Sequence, residues 1–376
     1  MNNQSKAQKI FKNHKIAGWG RRDFVDSKLV ELLNTQEIKT FIKKTKDLQC
    51  ITRGMGRSYG DAAQLKNGYI FSLNNFNNIK LSGNKVTVGG GVTISNLLKV
   101  IIPLGYFLPV SPGSAQVTIG GAIAADAHGK NHHKFGSFGN HISNLVILDG
   151  NGVIRNLTSN SQKIDNHNKF FWATIGGMGL TGVIIEATIS LIKIESAFMN
   201  VDTYKCADLD SLMEIMKSKD KFYSYSVAWV DSLNKSFRGV ITCAEHASKD
   251  DLNINDLDLL SYNSKNLGSA PKFLPNGILN KFTVSTFNKF WFIKSTIFKK
   301  NIQTIPQFFY PLDGISNWNR IYGINGFYQY QFVVPENKSY FISKTLSTLK
   351  RFSSNSFLVM RIFFINFSIV KASYHR

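Results

Sequence analysis

Cysteine is scarce in this chain. Its 376 residues include three cysteines, Cys50, Cys206 and Cys243, which are far apart and odd in number. They predict neither a disulfide framework nor a zinc knuckle, and such usage is typical of a reducing compartment. We therefore expect a cytoplasmic protein.

Long hydrophobic runs are also missing. Residues 100–125 carry no charge, but "PLGYFLPVSPGS" scatters proline, glycine and serine through them, which would break a membrane helix. The run "IFFINFSIV" (362–370) is too short to cross a bilayer. The N-terminus, "MNNQSKAQKIFKNHK", lacks the apolar core of a secretory signal. We expect neither a transmembrane span nor a signal peptide.

Acidic residues are few, since 24 acidic residues against 45 basic ones give a net charge of +21. Such a surplus attracts an anionic partner, either nucleic acid or an acidic membrane surface. Compositional drift in a chain rich in lysine and asparagine explains the surplus equally well. Because the sequence shows neither a nucleic-acid-binding module nor an arginine cluster, we expect no nucleic-acid partner.

The order of secondary-structure patterns predicts two domains. Residues 21–47 have the spacing of helical turns, with Asp26 or Ser27 as the cap. "TISNLLKVIIPLG" predicts a short helix capped by Thr93 or Ser95, and "ISNLVILDGNGVIRN" predicts a hairpin. Beyond residue 195 the chain becomes polar and aromatic, with strand-like "YSYSVAWV" and "GFYQYQFVVP".

Two glycine loops are candidates for phosphate binding. The stretch 177–182 satisfies G-x-G-x-x-G, but it leads into the strand-like "VIIEATISLIKI", whereas a dinucleotide fingerprint opens a helix. We therefore reject a Rossmann site. In "RGMGRSYGD" (53–61), glycines expose consecutive N–H groups while polar side chains add charge and hydrogen bonds. A glycine-rich turn with structural arginines is the alternative.

Four histidines fall within "DAHGKNHHKFGSFGNH" (126–141), and His128 and His132 have the spacing of a helical zinc motif. The same stretch holds three glycines, each of which costs a helix about 1 kcal/mol relative to alanine. We therefore expect no helix and no metal site here. The small residues of 111–139 instead let the backbone approach a large flat ligand.

Three stretches, "RGMGRSYGDAA", "PVSPGSAQVTIGGAIAADAHGKNHHKFGSFGNHI" and "GGMGLTGVIIEATI", resemble flavoproteins of the vanillyl-alcohol-oxidase superfamily. Within it the sequence is most similar to the decaprenylphosphoryl-β-D-ribose 2′-oxidase family, and the resemblance continues through "YSYSVAWVDSL", "FFYPLDGISNWNR" and "GFYQYQFVVP". It implies an α+β fold: a PCMH-type FAD-binding domain of two subdomains (1–197), then an antiparallel-sheet substrate domain (198–376).

The resemblance also implies a non-covalently held FAD, because relatives with covalent flavin carry a histidine where Arg57 stands. Residues 52–62 would wrap the pyrophosphate. The implied cofactor contacts are Arg53, Gly54, Met55, Gly56, Arg57, Ser58, Tyr59, Gly60, Gly113, Thr118, Ile119, Gly120, Gly121, Ala125, Asp126, His128 and Ile184.

The implied reaction is FAD-dependent oxidation of the 2′-hydroxyl of a polyprenyl-phosphate-linked ribose, in cell-wall polysaccharide synthesis. A separate NADH-dependent keto-sugar reductase would complete a ribose-to-arabinose epimerisation. Tyr59 and His128 would border the reacting centre. The implied substrate contacts are Trp229, Tyr310, Arg320, Gln329 and Gln331. Two alternatives stay open: an oxidase of a soluble alditol or sugar lactone, and a non-catalytic FAD-binding remnant.

The chain departs from the family near residue 360, where "RIFFINFSIVKASYHR" stands in place of a longer segment. That segment supplies a lysine beside the flavin pyrimidine. No residue here matches it, and Lys371 is not assigned the role. We therefore expect a truncated chain whose substrate domain is incomplete at its C-terminal end.

The stretch "FNKFWFIKSTIFKK" (287–300) interleaves cations with large aromatic side chains. It predicts a helix that either rests on an anionic membrane surface or buries its aromatic residues in the cap domain. The first alternative would place the protein at the periphery of the inner membrane.

Overall fold

The structure is a computed structural model that describes residues 12–31, 33–44, 49–159, 166–252, 259–264, 266–295, 300–332, 334–351 and 367–372. Helices and mainly antiparallel strands alternate irregularly along the chain, which confirms the predicted α+β class. The predicted departure near residue 360 lies outside the described residues.

The first part of the chain carries eleven of the described strands. Its elements are β1 (Lys12–Ile16), β2 (Val25–Glu31), α1 (Thr35–Lys44), β3 (Cys50–Arg53), β4 (Tyr69–Ser72), β5 (Ile79–Ser82), β6 (Lys85–Gly89), α2 (Ile94–Ile101), β7 (Tyr106–Phe107), α3 (Ile119–Ala124), α4 (His132–Phe135), β8 (Ile142–Leu148), β9 (Ile154–Thr158), α5 (Asn166–Thr174), β10 (Val183–Ser190) and β11 (Ile192–Lys193).

These strands form two main sheets. One has the order β1–β2–β4–β3, in which β4 pairs in parallel with both β2 and β3. The other, β5–β6–β10–β8–β9, is antiparallel throughout. Ile119 and Ile123 of α3 lie in the same apolar cluster as Ala187 of β10. This packing sets the glycine-rich loops around α3 beside the loop that precedes β10.

The second part is built on another antiparallel sheet, of order β13–β14–β12–β15. The predicted domain boundary after residue 197 falls directly before its strand β12. The elements are β12 (Phe198–Cys206), α6 (Leu209–Lys219), β13 (Tyr225–Val230), β14 (Gly239–His246), α7 (Lys281–Lys294), β15 (Lys300–Thr304), α8 (Ile305–Phe309), β16 (Phe327–Phe332), α9 (Tyr340–Arg351) and β17 (Phe367–Ala372).

One apolar cluster joins the two parts. The rings of Phe107 and Phe309 lie 5.0 Å apart, and Tyr225 lies 5.0 Å from Phe309. The buried imidazole of His246 lies 5.2 Å from the Phe107 ring, and its Nε2 lies 3.2 Å from the Tyr225 hydroxyl oxygen. Aromatic rings from both parts of the chain therefore hold the two parts against each other.

The predicted helix over residues 21–47 is wrong in its first half. Val25–Glu31 is a strand that pairs in parallel with β4, with Lys28 opposite Tyr69. Asp26 and Ser27 lie inside this strand and cap nothing. The apolar spacing is satisfied by a sheet face instead, because a partner strand more than thirty residues away overrides the local helical pattern.

Other expectations are confirmed. The Thr93 side chain caps α2 by accepting a hydrogen bond from the Asn96 N–H, and β8 and β9 form the predicted hairpin. The sequence after the 177–182 glycines is strand β10. Of the helices in the described ranges, none is both long and apolar enough to span a membrane.

Candidate functional site

A cavity of about 240 Å³ opens where the loop after β3, the segment around α3 and the loop before β10 converge. Glycine and alanine predominate in its walls, so much of the surface is backbone. The lining residues are Thr52, Gly54, Met55, Gly56, Arg57, Ser58, Ala62, Ala63, Leu73, Gly90, Pro112, Val117, Thr118, Gly120, Gly121, Ala122, Ala124, Ala125, Ala127, Met178, Gly179, Gly182 and Ile184.

The loops approach each other too closely for larger residues at the points of contact. A Cβ on Gly90 would lie 2.1 Å from the carbonyl oxygen of Ile184, and the Gly120 N–H donates to the Gly90 carbonyl at 2.9 Å. Nearby, Gly54 packs against Thr118, whose side chain caps α3. The result is a slot walled by backbone, which suits an extended ligand.

Arg53 shapes the loop after β3. Its guanidinium donates to the carbonyl oxygens of Ala63 at 2.7 Å and Ala17 at 2.8 Å. Burial lowers the pKa of this guanidinium. Because one donor bonds the far end of this loop and the other bonds the connection between β1 and β2, Arg53 holds the curvature that presents Gly54 to the cavity. A direct contact with a cofactor stays a prediction.

Arg57 is placed differently. Its guanidinium stacks on the Trp19 ring, with Cζ 3.8 Å from the centroid, and its buried Nε has no hydrogen-bond partner among the described residues. Burial lowers the pKa of Arg57, and the nearby Asp313 opposes that shift. Arg57 thus brings a cation with an unused donor to the cavity wall.

A second cavity, of about 660 Å³, adjoins the first and shares Arg57 with it. The second part of the chain supplies most of its polar lining. The lining residues are Arg57, Ser95, Ala115, Gln116, Tyr262, Asn263, Ser264, Asn266, Leu267, Thr304, Pro306, Gln307, Tyr310, Pro311, Asp313, Gly314, Ile315, Ser316, Asn317 and Trp318. Of the predicted substrate contacts, Tyr310 lines it. The hydroxyl oxygen of Tyr310 lies 2.5 Å from the Ser111 hydroxyl, and burial raises the pKa of Tyr310.

Asp313 ties the second part of the chain to the loop before α3. Its carboxylate accepts hydrogen bonds from the Ser114 hydroxyl at 2.8 Å and the Ala115 N–H at 2.6 Å. Burial raises the pKa of Asp313, while these donors and the Arg57 charge act in the opposite direction. One side chain therefore links the second cavity to a wall of the first.

The histidine loop spans the two parts of the molecule. The Lys130 carbonyl accepts a hydrogen bond from the Ser226 N–H at the edge of β13, and His133 Nε2 lies 3.1 Å from the Tyr223 carbonyl. The expectation that this stretch holds no helix is wrong, because His132–Phe135 form the single-turn helix α4. His128 lies before that helix, and its ring centroid is 6.3 Å from that of His132. No group of three or more His, Cys, Asp or Glu side chains suited to a metal occurs in the described ranges.

The predicted cofactor contacts divide into two sets. One set lines the first cavity: Gly54, Met55, Gly56, Arg57, Ser58, Thr118, Gly120, Gly121, Ala125 and Ile184. The other set lies in the same loops, outside the lining: Arg53, Tyr59, Gly60, Gly113, Ile119, Asp126 and His128. His128 directly follows the lining residue Ala127 and pairs with Ser137 in a β-bridge. Tyr59 packs edge-on against Phe327 at 5.5 Å.

The remaining predicted substrate contacts lie outside both cavity linings. Trp229 is buried on β13, on the strand face that also carries Tyr225. Arg320 donates to the Ala270 carbonyl at 3.0 Å. Gln329 and Gln331 share one face of β16, as predicted, and the buried Gln329 Oε1 accepts no hydrogen bond from the described residues. Their contact with a substrate stays a prediction.

Sequence reasoning missed the loop before β10. Met178, Gly179 and Gly182 line the first cavity, although their glycine pattern was rejected as a Rossmann fingerprint. The Met178 N–H donates to the Ala124 carbonyl at 2.8 Å, which fixes the loop against the end of α3. A signal was present, because three glycines directly before a buried strand indicate close backbone approach.

Comparisons with known proteins indicate the cofactor of this chain. Residues 27–158 match a protein family described as an FAD binding domain. A decaprenylphosphoryl-beta-D-ribose oxidase from Mycolicibacterium smegmatis is 36% identical over 364 residues, which cover 93% of this chain and 78% of the relative. A D-lactate dehydrogenase from Archaeoglobus fulgidus is 27% identical over 43% of this chain and 38% of its own length.

Together the FAD-binding match and the slot formed by the loops define the chain as an FAD-dependent oxidoreductase with a PCMH-type FAD-binding domain. The match to the mycobacterial oxidase extends through the second part of the chain as well. The chain therefore belongs to the decaprenylphosphoryl-β-D-ribose oxidase family, which confirms the resemblance found in the motifs.

The residues of the first cavity fit FAD. Glycine-walled loops leave room for a pyrophosphate against the backbone, and Arg57 brings a positive charge to the cavity wall. The small side chains of α3 leave space for an extended dinucleotide. We infer that the loops at 52–63, 117–127 and 178–184 hold the cofactor.

Proposed function

We propose that this chain oxidises the 2′-hydroxyl of a polyprenyl-phosphate-linked ribose to the keto sugar. The observation that carries the proposal is the 36% identity over 93% of the chain to an enzyme whose name states that sugar lipid. The polar second cavity next to the cofactor slot supports it, because a sugar requires hydrogen-bonding groups along its walls.

We also propose that FAD is held without a covalent bond. The side chains lining the first cavity in the described part of the chain include no imidazole and no thiol, the groups that would attack a flavin. Arg57 stands at the position where relatives with covalent flavin carry histidine. Charge and backbone hydrogen bonds would then hold the cofactor.

The roles proposed for individual side chains come from the family resemblance. FAD, when bound, would supply the hydride-accepting chemistry. His128 and Tyr59 are proposed to orient the hydroxyl and take its proton. Trp229 would pack against the sugar, and Gln329 and Gln331 would form hydrogen bonds with its hydroxyl groups. Arg320 would form an ionic contact with the lipid phosphate.

The product of this reaction would be a keto sugar still attached to its lipid phosphate. We propose that a separate NADH-dependent reductase consumes it, which would give net epimerisation from ribose to arabinose in cell-wall polysaccharide synthesis. The two enzymes need share only the lipid-linked intermediate.

The test is anaerobic reduction of the FAD-loaded chain. We expect polyprenyl-phosphoryl ribose to bleach the visible flavin absorbance, while the 2′-deoxyribose lipid does not, because it lacks the reacting hydroxyl. Bleaching by ribitol or D-lactate without bleaching by the sugar lipid would overturn the proposal. With no bleaching by any of these alcohols, the chain would be a non-catalytic FAD-binding protein.

A variant tests the place of His128 in the reaction. We expect His128→Ala to slow bleaching by the sugar lipid by about 100-fold or more, the usual contribution of a positioned acid or base, while the chain keeps its FAD. His14→Ala, on the exposed strand β1, is the control and should bleach like the unmodified chain. An unchanged rate in His128→Ala would remove this residue from the mechanism.

A further inference from the structure

Helix α7 is attached to the second sheet through polar and cation–π contacts. Asn288 Nδ2 donates to Asp231 Oδ1 at 2.8 Å in a buried hydrogen bond. The ring of Phe292 is covered by Lys205 Nζ at 4.2 Å and Arg238 Cζ at 4.4 Å. Since Asn288 and Phe292 are four residues apart, they mark the face of α7 that contacts the protein.

The opposite face is apolar and exposed to solvent. Phe282 is 79% exposed, Phe290 61% and Ile293 53%. Phe287 and Trp291 stack on each other beside this face, with ring centroids 6.3 Å apart. A surface helix normally turns its apolar side to the core and its polar side to water. α7 buries Val284 and Asn288 on its inner face, yet it also leaves large apolar side chains in solvent on its outer face, so that outer face has the character of a contact surface.

The charge around this face narrows the choice of partner. Between residues 261 and 300 the sequence has seven lysines and no aspartate or glutamate. On α7 itself Lys281, Lys289 and Lys294 are all exposed. A second copy of this chain would set lysine against lysine. A partner surface that is anionic would attract the lysines, and one that also accepts aromatic rings would bury the exposed phenylalanines.

We propose that α7 docks this protein on anionic lipid membranes. Phe282 and Phe290 enter the boundary between headgroups and acyl chains, and the lysines contact the anionic headgroups. This inference stands on the helix alone and does not depend on the proposed reaction.

The start of α7 is stabilised from within the helix, which makes its outer face testable by substitution. The Asn280 side chain accepts hydrogen bonds from the N–H groups of Phe282 at 2.9 Å and Thr283 at 3.0 Å, and the Thr283 hydroxyl accepts one from the Asn280 N–H. This capping box needs no other element to begin the helix. Substituting exposed residues on the outer face should therefore leave the fold intact.

The experiment is co-sedimentation of the full chain with vesicles of phosphatidylcholine, with and without phosphatidylglycerol. We expect binding only to the anionic vesicles. Phe282→Ser with Phe290→Ser should weaken binding by about tenfold or more, and Lys281→Glu with Lys289→Glu by at least about fivefold per lysine reversed. The control is Phe222→Ser with Lys221→Glu, which changes an equally exposed aromatic and cation after α6 and should bind like the unmodified chain.

Trp291 provides a second measurement. Its fluorescence should shift to shorter wavelength on anionic vesicles, and Trp291→Phe should lose most of that shift. The proposal is overturned if the chain does not bind anionic vesicles. It is equally overturned if the double phenylalanine variant and the double lysine variant both bind them as the unmodified chain does. The proposal is also overturned if the only effect of Phe282→Ser with Phe290→Ser is to convert a dimer to a monomer in sedimentation velocity. In that case α7 would be the interface between two copies of the chain.

Discussion

Arg57 carries a half-buried charge that its described neighbours satisfy only in part. The guanidinium stacks on Trp19, and Asp313 lies close enough to affect its pKa, yet its buried Nε has no hydrogen-bond partner among the described residues. An unsatisfied buried donor is costly, so it calls for a structural explanation. We propose that the guanidinium of Arg57, which lines the first cavity, contacts the phosphate groups of FAD.

Replacing Arg57 tests this assignment. We expect Arg57→Met to raise the Kd for FAD by about tenfold or more, because a hydrogen bond to a charged group contributes about 1.5–3 kcal/mol. The measurement is a titration of the FAD-free chain followed by quenching of flavin fluorescence.

Arg22→Met is the matched control for this titration. Arg22 also stacks on an aromatic ring, with Cζ 4.8 Å from the Tyr328 centroid, and it donates to the Asn325 carbonyl at 2.9 Å. It lines neither cavity. We expect its FAD affinity to stay unchanged, and an equal loss in both variants would show that net charge alone is responsible.

The two arginines of "RGMGRSYGD" show the limit of prediction for single side chains. The sequence assigns both Arg53 and Arg57 to phosphate binding, because both are cations beside glycines. In the structure Arg53 turns inward to the carbonyls of Ala17 and Ala63, whereas Arg57 reaches the cavity. The direction of each side chain depends on how the loop curls back, which composition does not reveal.

The loop before β10 is the element that closes the cofactor slot. Gly179 has a φ of +80°, a conformation that favours glycine, and a Cβ there would lie 3.8 Å from Thr52 Oγ1, with room to spare. Substitution would therefore strain the backbone without a steric clash. The strain would move the cavity wall, since Gly179 lines it.

We predict that Gly179→Ala lowers the free energy of unfolding by about 1 kcal/mol and raises the Kd for FAD by severalfold. Gly83→Ala is the control, because Gly83 has a φ of +57°, an open Cβ position and a place in the β5–β6 turn. The free energy of unfolding of Gly83→Ala should fall by the same amount, while its Kd for FAD should stay unchanged. Urea denaturation and FAD titration measure the two effects, and equal FAD affinities in both variants would exclude the loop from the site.

Local patterns predict elements well where no distant partner intervenes. The capped helix α2 and the β8–β9 hairpin were predictable because their signals, a threonine cap and a turn after Asp149, act within a few residues. Strand β2 was not, since its identity comes from pairing with β4. The loop before β10 was misjudged for a similar reason. Its place in the cavity wall depends on contact with α3, whereas the G-x-G-x-x-G test considers only whether a helix follows the glycines.

His246 lies where the two parts of the molecule meet, and its ring is enclosed by Phe107, Tyr225 and Phe309. Burial lowers the pKa of His246 to about 4 from an ordinary value of 6.5. The folded protein therefore keeps this imidazole neutral under conditions in which the unfolded chain protonates it. Acid should weaken the packing between the two parts.

The resulting pH dependence is specific. Above pH 6.5, His246 does not change the free energy of unfolding. As the pH falls from 6.5 to about 4, the unfolded chain binds a proton at His246 that the folded chain excludes, and this lowers the free energy of unfolding. We predict that this costs up to about 3 kcal/mol of unfolding free energy. His246→Phe should remove that part of the decline, as measured by urea denaturation across this range. Parallel stability curves for the two proteins would contradict the prediction.

At the level of the whole molecule, a series of motifs in a fixed order carried more information than any one pattern. The glycine loops alone suggested a phosphate site, and the resemblance supplied the family that the alignment confirms. Neither revealed the second cavity, whose lining comes from segments two hundred residues apart, or the half-buried Asp313 that bonds the loop before α3. Such sites arise from the docking of two sheets, which leaves no local trace in the sequence.

The central claim is that three backbone-walled loops hold FAD without a covalent bond. The most direct test is the visible absorbance spectrum of the purified chain after desalting and incubation with FAD. We predict a flavin spectrum that survives a second desalting, with all the flavin released into solution when the protein is denatured. A folded chain that stays colourless would contradict the claim, and flavin that remains with the denatured chain would contradict its non-covalent part.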